Sequence, residues 1–352
     1  MPDDAMLDLN RSVARRGFLQ GAAALTASGA AIVAVGCGSD GKSKATTTAG
    51  STNTAGPAPT AGATSTAAAA QPTAATTANP GGIRPVLLTS EYVANQQNRF
   101  VVGLLDGAGK LVLDATVHLK FFQIAQDGVT GTLRGQGDAA FTQLNIDGAH
   151  THDGTTGASQ NEDTISFYVA NAPFDAAGKW GVQVDVTPDK GPAGQIQVPI
   201  DVVTRTKTPN LGDTPPASKN DTTASNSDAA SLCSRKPACS LHDKVIGDVL
   251  GKGRPLVVQF STPAFCQTRF CGPVLEVLLA KVPEYQDRVD FVHIEVWQDF
   301  QLQKYRPAMT EWQLSTEPWT FFMDKTGKVV LKIEAVFTEE ELASALAQLV
   351  AL

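Results

Sequence analysis

The stretch Leu256-Val-Val-Gln-Phe-Ser-Thr-Pro-Ala-Phe-Cys266-Gln-Thr-Arg-Phe-Cys271-Gly-Pro-Val274 decides the fold of the C-terminal third of the chain. Leu256 to Phe260 is a short, continuous apolar run, the pattern of a strand buried on both faces. Ser261 to Pro273 breaks that pattern as a loop carrying Cys266 and Cys271. Beyond it, Val274, Leu275, Leu278, Leu279 and Val282 recur at helical spacing, and Pro273 suits a first helical position. Val289 to Val296 reads as a second strand. Phe321 to Asp324 and Val329 to Ile333 flank a Lys325-Thr-Gly-Lys328 turn and so predict a hairpin. Thr338 and Glu341 form a capping-box pattern that opens a last helix ending near Leu349.

Strand, cysteine loop, helix, strand, hairpin and capped helix in this order resemble the thioredoxin fold over nearly all of residues 240–352. Cys271-Gly-Pro273 resembles the family's redox loop, and Trp312-Gln-Leu-Ser-Thr-Glu-Pro318-Trp resembles the segment whose cis-proline faces that loop. The resemblance implies thiol–disulfide exchange with protein thiols or disulfides as partners, with Pro318 shaping the surface on which a partner docks. It implies no cofactor and no metal. A thiol near a helix N-terminus suits such chemistry, because unpaired N–H groups and the helix dipole stabilise the thiolate.

The chain departs from the family pattern in its Cys-x4-Cys spacing, where thioredoxins have Cys-x2-Cys. The buried Asp that assists proton transfer in thioredoxins aligns with Gln259, and the Trp before the loop with Ser261. Either Cys266 attacks and Cys271 resolves, or Cys271 holds the nucleophile's place with Cys266 as its partner. The alternative is a permanent Cys266–Cys271 disulfide in a non-enzymatic surface scaffold; closing so short a loop stabilises by only about 2 kcal/mol. Two enzymatic or binding rivals fit less well. An atypical peroxiredoxin needs a Thr where Pro263 stands, and a copper-delivery protein has Cys-x3-Cys and a distant histidine, whereas His293 lies inside a strand. His242 reads as a polar residue before a helix, and His293 as a core or strand-edge histidine. Cys233 and Cys239, in an irregular segment around Pro237 and away from any helix start, are expected to form a structural disulfide.

Upstream, the chain begins with an address. Ser12, Arg15, Arg16, Phe18 and Leu19 resemble a twin-arginine export signal ahead of a weakly apolar Ala/Gly stretch. That stretch ends in Ala34-Val-Gly-Cys37, which resembles a lipobox, so Cys37 is the expected lipidation site. Residues 1–37 are therefore read as signal, and the expected location is the outer face of the cytoplasmic membrane or the cell envelope. Residues 38–82 are nearly all Ala, Thr, Ser, Gly and Pro, too poor in large apolar side chains to fold, and form a tether with a mean reach of roughly 35–40 Å.

Residues 83–205 change to short β runs such as Phe100 to Leu105, Val117 to Phe122, Thr164 to Val169, Trp180 to Val186 and Gln195 to Val203. Alternation in Val182, Val184, Val186 and in Ile196, Val198, Ile200 predicts an antiparallel, immunoglobulin-like β-sandwich without a disulfide. His150, His152 and Asp153 within it leave metal binding open, against the plainer reading of a polar loop. Residues 206–231 read as a linker, and 232–352 as the thioredoxin-like domain. The fold class is thus multi-domain, an all-β sandwich followed by an α/β domain. The net charge of -7 over 352 residues, with no basic stripe beyond the N-terminus, excludes a nucleic-acid binder.

Overall fold

The computed structural model describes residues 75–77, 79–113, 115–145, 164–266 and 270–352. Arg15, Arg16, Cys37, His150, His152 and Asp153 lie outside the described residues. Among the described residues, no helix is long and apolar enough to cross a membrane.

Among the described residues, the part of the chain up to Val203 is all β. Its strands are β1 (Ala75–Thr77), β2 (Arg84–Leu87), β3 (Tyr92–Val93), β4 (Gln96–Leu105), β5 (Ala115–Ile124), β6 (Gly131–Asn145), β7 (Thr164–Phe174), β8 (Gly178–Pro188) and β9 (Gly194–Val203). They form one curled sheet in the order β1-β9-β8-β5-β6-β7-β4-β2, with β3 beside β9. The curl depends on β6, which pairs with β5 through residues 131–139 and then with β7 through residues 140–145. The alternation read in β8 and β9 holds: Val182, Val184, Val186, Ile196, Val198 and Ile200 are all buried. They close on an aromatic cluster in which Phe174 meets Tyr92, Phe121 and Trp180 edge-on at centroid distances of 5.4, 5.6 and 4.9 Å.

β6 carries no clear strand signal in the sequence. Gly131, Gly135, Gly137 and Asp138 look like turn residues, yet at Gly135 a Cβ would meet Pro173 Cγ at 3.2 Å. The glycine is there to let two strands approach, not to turn the chain.

After two single-turn helices, α1 (Ala229–Leu232) and α2 (Ile246–Val249), comes the α/β domain. It comprises β10 (Leu256–Ser261), α3 (Cys271–Tyr285), β11 (Asp290–Glu295), β12 (Trp297–Asp299), β13 (Lys304–Tyr305), α4 (Pro307–Glu311), β14 (Trp319–Met323), β15 (Val329–Glu334) and α5 (Glu339–Leu349). The main sheet runs β11-β10-β14-β15, with β10 parallel to β11 and antiparallel to β14. This is the thioredoxin-like order. Every residue of β10 and β11 is buried, the polar Gln259, Ser261, Asp290, His293 and Glu295 included. Thr338 and Glu341 form the expected reciprocal cap on α5. Gly327, at φ 85°, closes the β14–β15 turn in a conformation that other residues adopt at a cost.

The two domains are not joined by a free linker. Arg99 on β4 forms a two-pronged ion pair with Glu341 at 2.9 Å for each bond. Glu334 accepts from the Ser90 N–H and hydroxyl at 2.6 and 2.7 Å. Val101, Leu144, Ile165 and Phe167 from the β domain share one apolar cluster with Leu342, Ala345 and Leu346 of α5. The 206–231 segment, read as a linker, is laid along the C-terminal domain. Gly212 and Val329 exchange backbone bonds with Val329 and Asp213 at 2.8 Å, and Trp312 Nε1 donates to Ser218 Oγ at 3.0 Å. Its Thr, Asn and Ser side chains satisfy backbone groups individually, an ordering device that leaves no hydrophobic period to read.

Candidate functional site

The buried strand β10 ends at Ser261, and the chain leaves the sheet through Thr262 and Ala264 to Cys266. Helix α3 begins at Cys271, two residues earlier than Pro273 suggested. The backbone N–H of Cys271 donates to the sulfur of Cys266 at 3.3 Å. No disulfide joins the two cysteines, and their surroundings are unequal: Cys271 is fully buried, while Cys266 is partly exposed. Burial pushes the Cys271 thiol well above the ordinary range, and the neighbouring Cys266 sulfur pushes it further. An N–H aimed at the exposed sulfur is the donor that a thiolate accepts.

Pro318 follows a cis Glu317–Pro318 bond and enters β14 beside the loop's strand. Glu317, which the sequence reading did not single out, places a carboxylate oxygen within 4.8 Å of both sulfurs. Its Oε2 is buried without a hydrogen-bond partner among the described residues. Burial, then the charge of Cys266, then that of Glu295 raise its pKa to about 9, so the carboxyl is protonated at neutral pH. No spacing motif marks Glu317; only its place before Pro318 in the thioredoxin-like order pointed there. Within the loop, Phe265 stacks on Phe300 at 4.6 Å with 41% of its surface exposed. The structure therefore brings Cys266, Cys271, Glu317 and Pro318 together.

Cys233 and Cys239 do not form the expected disulfide. Both are free, buried thiols. Beside them His242 and His293, both buried, turn a ring nitrogen towards the sulfurs. Cys239 Sγ lies 3.3 Å from His242 Nε2 and 3.3 Å from His293 Nδ1. Cys233 Sγ lies 3.7 Å from His293 Nδ1, and the two ring nitrogens are 3.2 Å apart. The hydrogen bond between the two sulfurs draws the thiols in opposite directions, Cys233 down and Cys239 up. His293 Nε2 meets the carbonyl and hydroxyl of Ser261 at 3.1 and 2.9 Å. Sequence reasoning treated the two histidines singly because 51 positions separate them. Only the pairing of β11 with the segment ahead of β10, where His293 N–H donates to the Leu241 carbonyl at 2.9 Å, joins them.

The two clusters touch. Ser261 is the last residue of β10, and the Ala264 N–H in the loop donates to Ser234 Oγ at 3.1 Å.

No protein-family model matches the chain, and no curated protein matches it. Among solved structures, it is similar to a protein assigned as the thiol:disulfide interchange protein DsbE from Chlorobium tepidum. That alignment is 13% identical, covers 40% of this chain and 99% of the other, and has a TM-score of 0.27. It is also similar to the PmoD soluble domain from Methylocystis sp. ATCC 49242 (Rockwell), at 13% identity over 36% of this chain and 95% of the other, with a TM-score of 0.20. The thioredoxin-like character of the C-terminal domain rests on its own strand order and loop, not on these alignments.

Proposed function

We propose that the C-terminal domain exchanges thiols and disulfides with protein partners outside the cytoplasmic membrane, with Cys266 as the attacking thiol and Cys271 as the resolving one. The Cys271 N–H that donates to the Cys266 sulfur carries this assignment, since it favours charge on the accessible sulfur and not on the buried one. In the oxidising direction for the domain, the Cys266 thiolate attacks a partner disulfide, forms a mixed disulfide and releases one partner thiolate. Cys271 then loses its proton and attacks the Cys266 sulfur, which releases the second partner thiolate. The domain leaves as the Cys266–Cys271 disulfide, and the partner has gained two electrons.

Glu317, protonated at neutral pH, supports this sequence as the proton donor to a departing thiolate, a role that Gln259 has no acid–base capacity to fill. Pro318 and the exposed face of Phe265 form the surface for an extended, apolar partner segment. In the same reading Arg15 and Arg16 direct export, Cys37 carries the lipid anchor, and the β domain is an immunoglobulin-like sandwich that carries the redox domain.

The test is the reduction potential of the Cys266–Cys271 pair in the full chain, read as the oxidised fraction of that pair in glutathione buffers. A potential above roughly -250 mV is expected, and a value below roughly -300 mV assigns the pair to a permanent staple in a surface scaffold.

A further inference from the structure

We infer that Cys233, Cys239, His242 and His293 bind a single zinc ion in a tetrahedral Cys2His2 site, separate from the thiol-exchange pair. All four side chains are buried, and one donor atom from each lies within 4.8 Å of all the others. Zinc bonds of about 2.3 Å to sulfur and about 2.0–2.1 Å to nitrogen, at tetrahedral angles, place sulfur and nitrogen about 3.6 Å apart and two nitrogens about 3.3 Å apart. The corresponding separations here are 3.3, 3.3 and 3.7 Å for sulfur to nitrogen, and 3.2 Å for nitrogen to nitrogen. These four separations thus differ from the tetrahedral values by no more than a few tenths of an ångström, and the remaining ones lie within 4.8 Å.

A second observation is independent of these distances. The carbonyl oxygen of Ser261 can only accept, so His293 Nε2, at 3.1 Å from it, carries the ring proton. In the neutral ring the lone pair is then on Nδ1, the atom that faces the two sulfurs and His242. An outer carbonyl that fixes a ligand histidine's tautomer in this way is the usual support of a zinc-bound imidazole. Two thiolates and two neutral imidazoles around the ion give a neutral cluster, which a buried location favours. The tetrahedral sulfur–nitrogen donor set selects zinc over calcium, magnesium or manganese.

Binding displaces the two thiol protons to solvent and oxidises nothing. Its effect on the fold follows from where the ligands lie. Three of them, Cys233, Cys239 and His242, belong to the irregular segment ahead of β10, and the fourth stands in the middle of β11. The ion is a clip between that segment and the sheet. Through Ser261 and Ser234 it lies against the base of the thiol-exchange loop.

The experiment uses the full chain carrying C266S and C271S, which removes the other sulfur pair. The reduced chain is loaded with Zn(II), and separately with Co(II). Expected are one equivalent of zinc by elemental analysis, strong visible bands of tetrahedral Co(II) with thiolate charge transfer, and a zinc absorption edge fitted by two sulfurs and two nitrogens. C239S and H242A should each weaken zinc at least tenfold, with folding checked by circular dichroism. Four outcomes overturn the inference: less than a tenth of an equivalent of zinc; octahedral Co(II) bands in the otherwise unsubstituted chain; full binding that survives both replacements; or uptake of Cu(I) with none of Zn(II) or Co(II). None of these bears on the Cys266–Cys271 potential, so the two readings fail separately.

Discussion

Ser261 holds His293 Nε2 with its hydroxyl at 2.9 Å and its carbonyl at 3.1 Å, and so ties the histidine–cysteine cluster to the last residue before the exchange loop. The hydroxyl is the removable half of this arrangement. In S261A the carbonyl still fixes the ring proton, but the second contact is lost. Zinc affinity of the reduced chain should fall roughly tenfold without loss of stoichiometry, as for other outer-shell partners of a ligand histidine. Competition with a zinc-sensitive chelator dye measures this, and an unchanged affinity removes Ser261 from the account.

The unequal burial of the two loop thiols predicts an asymmetry between single replacements. C271S should accumulate mixed disulfides with partner proteins or a model peptide disulfide through Cys266, because no resolving thiol remains. C266S should accumulate at least about tenfold less, since Cys271 is fully buried. Non-reducing gels with mass spectrometry read both. Equal trapping, or trapping only in C266S, reverses the assignment of attacker and resolver.

Glu317 makes stability depend on pH in a direction opposite to that of most carboxylates. Burial raises its pKa from 4.5 to about 9 in the native chain, so between these values the folded state holds a proton that the unfolded state has released. Stability contributed by this group is thus fully present below pH 4.5, declines as pH rises, and is gone above about pH 9. E317Q, always neutral, should flatten that slope and stabilise the chain at pH 8 by roughly 1–3 kcal/mol. Urea midpoints across the pH range measure it. A variant with the parent's slope excludes Glu317 as its source.

The Arg99–Glu341 pair joins the domains where both side chains are largely shielded from water, at 13% and 11% exposure. Removing one partner leaves the other charge without compensation. R99A should lower stability by about 2–4 kcal/mol, towards the buried-pair range, and unfolding should stay a single transition. Two separated urea transitions in the parent chain would show that the domains do not share a core.

The α/β domain was legible because its signals are periodic and local. Val257, Val258 and Phe260 mark a buried strand, the Thr338–Glu341 cap marks a helix start, and both lie where expected. In the β domain, β8 and β9 announced themselves by alternation, whereas β6 hid behind glycines needed for close strand approach. The position of the cysteine loop was readable as well: Cys266 and Cys271 fall between the end of β10 and the start of α3, and Pro318 stands just before β14. What failed were inferences about pairs distant in sequence. Cys233 and Cys239, judged as neighbours in the chain, suggest a bond to each other. Judged with His293, which only the sheet brings to them, they are something else. The ordered 206–231 segment escaped for a related reason: it is held by scattered hydrogen bonds to Glu91, Val329 and Trp312, and such partners leave no mark on the segment itself.

The apolar layer in which Val101, Leu144, Ile165 and Phe167 lie against α5 has a consequence for how this chain can vary. A domain with a face of its own can be excised, duplicated or traded for another carrier, and its neighbour barely notices. Here either half, taken alone, would present that layer to water and invite aggregation. The two halves are therefore one inheritable unit: a change of shape on one side of the layer is tolerated only with an answering change on the other. Any relative that keeps the exchange loop while discarding the β domain must first have made the exposed side of α5 polar.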